Sequence, residues 1–107
     1  MKWIYLIIAI ITEVIATSAL KESQGFSKFS PSIIVIVGYS LTFYFMSLTL
    51  KEMSVGITYA IWSGMGILLI SLIGYFRYNQ TLDVPAVLGM LFIGLGILII
   101  RFFSTSV

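Results

Sequence analysis

The sequence of 107 residues contains no cysteine and no histidine. The first absence removes disulfides, thiol catalysis and Cys-based metal sites. The second removes the commonest general base and metal ligand. Charge is scarce as well: Asp, Glu, Lys and Arg make up 9% of the chain, against about 25% in an ordinary soluble domain. Hydrophobic residues make up 60%. A soluble globule this small has too much surface to carry so little charge, so a water-soluble domain and a disordered tail are both excluded. No internal repeat appears, which excludes a solenoid. The formal net charge of +2 comes from six scattered Lys and Arg against four Asp and Glu. Single basic residues build no patch that grips phosphates, so no nucleic-acid partner is expected.

What is present is long apolar runs. Between Trp3 and Leu20 the only charge is Glu13, and none occurs in 32–50, 53–76 or 84–100. Each run is near the ~20 residues that cross a hydrocarbon core as a helix. Strands would leave backbone groups unpaired in lipid or would alternate polar with apolar residues, and these runs do not alternate. The expected fold class is therefore an all-α membrane protein with four transmembrane helices, at about 3–20, 32–50, 57–76 and 84–103. They form a single domain over 1–107. The connections (21–30, 51–56, 77–83) are too short to hold a soluble domain. Pro31 and the pair Asp83 and Pro85 are helix-opening signals. Lys2, the apolar run after it and the small residues Ala16 and Ser18 partly resemble a signal peptide. A glutamate inside that run speaks against cleavage.

Lys and Arg near span ends set membrane orientation. Lys2, Lys51 and Arg101 fall on one side, Lys21, Lys28 and Arg77 on the other. The bias is zero. Either other signals decide the orientation, or two copies insert oppositely and form an antiparallel pair. The second option has a mechanistic attraction. Many transporters rock two inverted repeats about a midplane site, and two opposed copies of a four-helix chain would supply that symmetry.

Glu13 lies eleven residues from Lys2 and eight from Lys21, near the middle of its helix. An acid at that depth costs about 3 kcal/mol on insertion scales. No Lys or Arg shares a span with it, and Lys21 is about 12 Å along the helix axis. Intramembrane acids are functional by default; the alternative is a protonated Glu13 that merely bonds a neighbouring helix. When ionised, a lone carboxylate attracts a cation; when protonated, it does not. That competition is enough to couple proton flow one way to cation flow the other. Leu6, Ala9, Ile10, Ala16, Thr17 and Leu20 share its helical face. The small ones leave room beside the carboxylate or allow close helix packing.

Organic cations bind aromatic faces. Tyr39 and Phe43 are four apart on the second span; Tyr59 and Trp62 are three apart on the third, with Ser63 next to them. For Trp3, Tyr5, Tyr75 and Tyr78, near span ends, anchoring at the membrane interface explains the position as well as a site does. Gly64 and Gly66 interrupt the third span and permit a kink or close packing. Gly89 and Gly96, seven apart on the fourth, read as a helix–helix seam, assigned to a dimer contact.

Taken together, these residues resemble the small multidrug resistance family over the whole chain. The strongest pieces are EVIATSALK at 13–21, Gly25-Phe26, Pro31-Ser32 and GITYAIWSGMG at 56–66; Asp83, Pro85 and Gly89 also fit. The resemblance implies an antiparallel homodimer in the bacterial inner membrane. It implies export of lipophilic, often aromatic cations such as quaternary ammonium compounds, driven by proton entry. Glu13 would hold proton and substrate in turn. Trp62 and Tyr59 would stack on or bond the substrate, Tyr39 and Phe43 would line the chamber, and Trp3 would close its end. Gly64 and Gly66 would be the kink, and Gly89 and Gly96 the dimer seam. In the branch that exports guanidinium ions, Trp tends to stand where this chain has Ala16 and Thr where it has Ser63, which favours the aromatic-cation branch. Trp3 and Ser54 stand where Tyr and Pro are common, which bears on substrate range.

The expected function is thus a proton-coupled antiporter, with the bilayer, protons and cationic small molecules as its partners. Alternatives are an exporter of small guanidinium-type cations, one subunit of a paired heterodimer, or a passive cation pore. No cofactor and no metal are expected. An enzyme is least favoured, because the membrane interior offers one acid and no nucleophile, base partner or metal set.

Overall fold

Asp83 opens the last helix as its spacing predicts. Its carboxylate accepts a hydrogen bond from the Ala86 amide at 3.0 Å, and Pro85 stands in the first turn, where a missing N–H costs nothing. In the computed structural model, which describes residues 1–106, every apolar run is helical. The elements are α1 (Lys2–Glu22), α2 (Phe29–Thr49), α3 (Val55–Arg77) and α4 (Val84–Phe103). All four are long and apolar enough to cross a membrane. Among the described residues there is no strand. α2 starts at Phe29, so Pro31 sits inside its first turn.

The turns are built by local chemistry. After α1, Gln24, Gly25 and Phe26 adopt positive φ in succession. Gly25, at φ 73°, takes that conformation without a Cβ penalty. The buried Ser23 ties the turn together: its hydroxyl donates to the Leu20 carbonyl at 2.7 Å and accepts from the Phe26 amide at 3.1 Å. After α3, Asn79 takes the left-handed position at φ 54°. The Gln80 amide then returns to the Gly74 carbonyl at 3.0 Å, which also accepts from the Tyr78 amide at 3.2 Å.

The chain divides into two compact units, Met1–Glu52 and the part from Met53 onward. In the first, α1 packs closely along α2. A Cβ built on Gly38 would come within 2.7 Å of the Ala16 Cβ and 3.3 Å of the Thr12 carbonyl oxygen. Small residues at that crossing let the backbones approach, which is how membrane helices gain packing energy without a hydrophobic driving force. In the second unit, α3 meets α4 through Gly64, which faces Ile93 and Ile97, and through Gly94, which faces Leu68. α4 buries none of its residues.

Hydroxyls inside the spans are satisfied mainly by their own helix. Ser40 donates to the Ile36 carbonyl at 2.7 Å, Thr49 to Phe45 at 2.9 Å and Ser71 to Ile67 at 2.7 Å. Back-bonding of this kind is what makes Ser and Thr tolerable in hydrocarbon.

Candidate functional site

Glu13 sits at mid-length on α1, and its two carboxylate oxygens have different surroundings. Oε1 accepts a hydrogen bond from the Thr17 hydroxyl, one turn along, at 2.7 Å. Oε2 is buried and meets no hydrogen-bond partner. A buried polar atom without a partner costs free energy and is the group a ligand or proton would satisfy. Thr17 also lies 2.6 Å from the hydroxyl of Tyr39 on α2. Tyr39 in turn stacks on Phe43, with ring centroids 6.4 Å apart at 21°. The first unit therefore brings Glu13, Thr17, Tyr39 and Phe43 into one continuous group. Tyr39 is half-buried; Phe43 is largely exposed.

The other expected residues of this unit are placed differently. Leu6, Ala9 and Ile10 are buried core side chains. Ala16, fully buried, is used at the Gly38 crossing. Trp3 is half-buried near the start of α1, with the Lys2 ammonium 6.0 Å from its ring centroid.

In the second unit Tyr59 and Trp62 meet edge to face, with centroids 5.4 Å apart at 66°. Such a pair presents an aromatic wall of the type that binds cations. The Trp62 indole Nε1 and the Thr58 hydroxyl, one turn apart, are both buried without hydrogen-bond partners. Ser63 is half-buried and donates its hydroxyl to the Tyr59 carbonyl at 2.7 Å, leaving its lone pairs for another donor. Gly64 and Gly66 are buried, and α3 continues through both as α-helix. A Cβ at Gly89 or Gly96 would meet nothing within 4 Å, so both glycines lie on open helix surface. Among the described residues, no group of three or more His, Cys, Asp or Glu gathers to hold a metal ion.

Three features escaped the sequence. Thr12 and Thr42 join α1 to α2 at 2.8 Å, while Thr42 also donates to the Gly38 carbonyl at 2.9 Å. The Ala16–Gly38 approach lies one turn further along α1. Thr58 is an orphaned hydroxyl. Polar residues within apolar runs were the available signal, but their partners lie on other helices or nowhere.

The family model of the Small Multidrug Resistance protein matches residues 1–93. Quaternary ammonium compound-resistance protein QacE of Escherichia coli is 48% identical over 104 residues, covering 97% of this chain and 94% of its own length. Multidrug transporter EmrE of Escherichia coli (strain K12) is 46% identical over 104 residues, with the same coverage of 97% and 94%. Quaternary ammonium compound-resistance protein QacC of Staphylococcus aureus is 39% identical over 106 residues, covering 99% of each. The resemblance carried by 13–21 and 56–66 thus extends along the chain, and the chain belongs to the small multidrug resistance family, as a four-span, multi-pass protein of the bacterial inner membrane.

Proposed function

We propose that this chain is a proton-coupled antiporter that exports lipophilic and aromatic cations, quaternary ammonium compounds among them, as an antiparallel homodimer of single four-helix domains. The observation that carries the reading is Glu13: the one charge between Trp3 and Leu20, with Oε1 held by Thr17 and Oε2 buried without a partner. The names of QacE and EmrE, quaternary ammonium resistance and multidrug transport, support the substrate class.

The mechanism is mutual exclusion. An ionised Glu13 holds a cation by Coulomb attraction, strengthened by the low dielectric of its surroundings. A protonated Glu13 has no net charge and releases it. If access alternates only when one guest is bound, proton entry drives cation exit. Tyr39, Phe43, Tyr59 and Trp62 supply the aromatic faces, Trp3 closes the chamber, Thr17 and Ser63 shape it, and the buried Leu6, Ala9 and Ile10 back it from the helix core. Gly64 and Gly66 give α3 its bend between states, and Gly89 and Gly96 form the dimer seam. Ala16 and Ser63, where the guanidinium branch tends to carry Trp and Thr, favour the aromatic-cation branch.

The test is calorimetric titration of a tetraalkyl- or tetraarylphosphonium cation at several pH values, with Glu13→Gln alongside. Affinity should fall about tenfold per pH unit below the midpoint when one proton displaces one cation. The variant should lose this dependence and most of the affinity. In proteoliposomes, an imposed pH difference should drive accumulation of the cation against its gradient. Mere dissipation would show a pore, and normal coupled transport by Glu13→Gln would overturn the reading.

A further inference from the structure

Thr17 stands between two oxygens. Its hydroxyl oxygen is 2.7 Å from Glu13 Oε1 and 2.6 Å from the Tyr39 hydroxyl oxygen, both short O–H···O contacts. A threonine hydroxyl has one hydrogen to donate. An ionised carboxylate only accepts, so Thr17 must donate to Glu13. Its remaining contact can then be filled only by donation from Tyr39. The direction of both bonds is therefore set by the charge on Glu13: Tyr39 donates to Thr17, which donates to Glu13.

Protonation removes that constraint. The bond to Oε1 loses its charge assistance, which makes such bonds roughly twice as strong as neutral ones. With the proton on Oε2, the two directions persist and the row weakens; with it on Oε1, both bonds reverse, and Glu13 donates to Thr17, which donates to Tyr39. The Tyr39 hydrogen then leaves the row. Either way, the state of the tyrosine O–H on α2 depends on a proton bound on α1.

We infer that Thr17 and Tyr39 form a proton-conditional bridge between α1 and α2, through which the charge on Glu13 is read out by the Tyr39 hydroxyl. Both are positioning residues for the coupled site. The bridge rests on Glu13 being the group that carries the proton. Competing titratable groups are few. α2 has no charged residue, and its other tyrosine, Tyr44, is exposed and packs edge-on to Phe45. On α1 the others are Lys2, Tyr5, Lys21 and Glu22; Tyr5 packs against Phe45, and Lys21 and Glu22 stand in the last turn, eight and nine residues from Glu13. The apolar runs 53–76 and 84–100 hold no charged residue; their titratable groups are Tyr59, which packs on Trp62, and Tyr75, which packs on Phe76.

The experiment is solid-state NMR of the full chain in lipid vesicles, with carbon-13 at the Glu13 carboxyl and at the Tyr39 ring carbon bearing oxygen, from pH 5 to pH 9. In the wild type both resonances should move with one shared midpoint. Thr17→Val should abolish the Tyr39 movement and leave that of Glu13; Thr17→Ser, which keeps the hydroxyl, should restore it. Glu13→Gln should silence Tyr39 altogether. A Tyr39 signal that stays still while Glu13 moves overturns the bridge alone. So does a Tyr39 signal that still follows Glu13 in Thr17→Val. A Glu13 carboxyl that does not move overturns the bridge and the proposed antiport together. Should Thr17→Val not fold, the wild-type and Thr17→Ser titrations decide the matter by the same criterion.

Discussion

Gly38 of α2 lies against Ala16 of α1 with no space for another carbon: a Cβ at position 38 would stand 2.7 Å from the Ala16 Cβ and 3.3 Å from its Cα. The atoms in the way are backbone or rigidly attached to it, so the helices must separate to admit a side chain. Overpacking of this kind costs about 1–3 kcal/mol. Gly38→Ala is expected to lower stability by that amount in thermal or detergent unfolding. Gly64→Ala serves as its comparison. The nearest atom there is Ile97 Cδ1 at 2.8 Å, the far end of a side chain that can turn aside. The gain of about 1 kcal/mol in helix propensity over glycine is common to both positions, so the yielding Ile97 side chain is what should keep the net change at Gly64 well under that at Gly38.

Gly89 and Gly96 contact nothing that a Cβ would displace. Gly89→Leu and Gly96→Leu should leave the helix content and the fold of the isolated chain unchanged. If both glycines form the proposed seam, each variant should lower the dimer fraction at least tenfold by in-membrane cross-linking or single-molecule energy transfer. Unchanged dimerisation in both would remove α4's glycine face from the interface.

Asp83 accepts from the Ala86 amide at 3.0 Å and is the only one of the four helix-opening residues whose side chain caps in this way. Asp83→Ala should destabilise the start of α4 by about 1 kcal/mol. Amide hydrogen exchange of the first turn of α4 would read it as roughly fivefold faster exchange there, with α1 unaffected.

The Thr12–Thr42 contact at 2.8 Å links helices, but the same two hydroxyl hydrogens also serve the contacts to the Ile8 and Gly38 carbonyls at 2.9 Å each, so while the interhelical bond is made only one of the pair also donates to its own helix. Such interhelical bonds average about 0.6 kcal/mol in membranes. A double-mutant cycle of Thr12→Val and Thr42→Val should therefore return a coupling near that value. A coupling above about 2 kcal/mol would mean that the pair holds α1 to α2 more strongly than its geometry implies.

The four spans and the isolation of Glu13 could be read directly, because apolar run length and the absence of nearby charge are properties of consecutive residues. The cap at Asp83 and the Tyr59–Trp62 pair could be read for the same reason, since both are local spacings. That Glu13 and Thr17 share a helical face followed from four-residue spacing; that Tyr39 completes the row did not. The periodicity of α2 is too evenly apolar to say which face turns towards α1, and it is the rotation of one helix about its axis against another that decides whether Tyr39 meets Thr17, whether Thr42 meets Thr12 and whether Gly38 meets Ala16. The order of charged and apolar residues was enough to put this chain in a bilayer around a single acid. Which hydroxyls reach that acid was decided only by helix packing, because contacts between side chains distant in sequence depend on shape complementarity that no single helix contains.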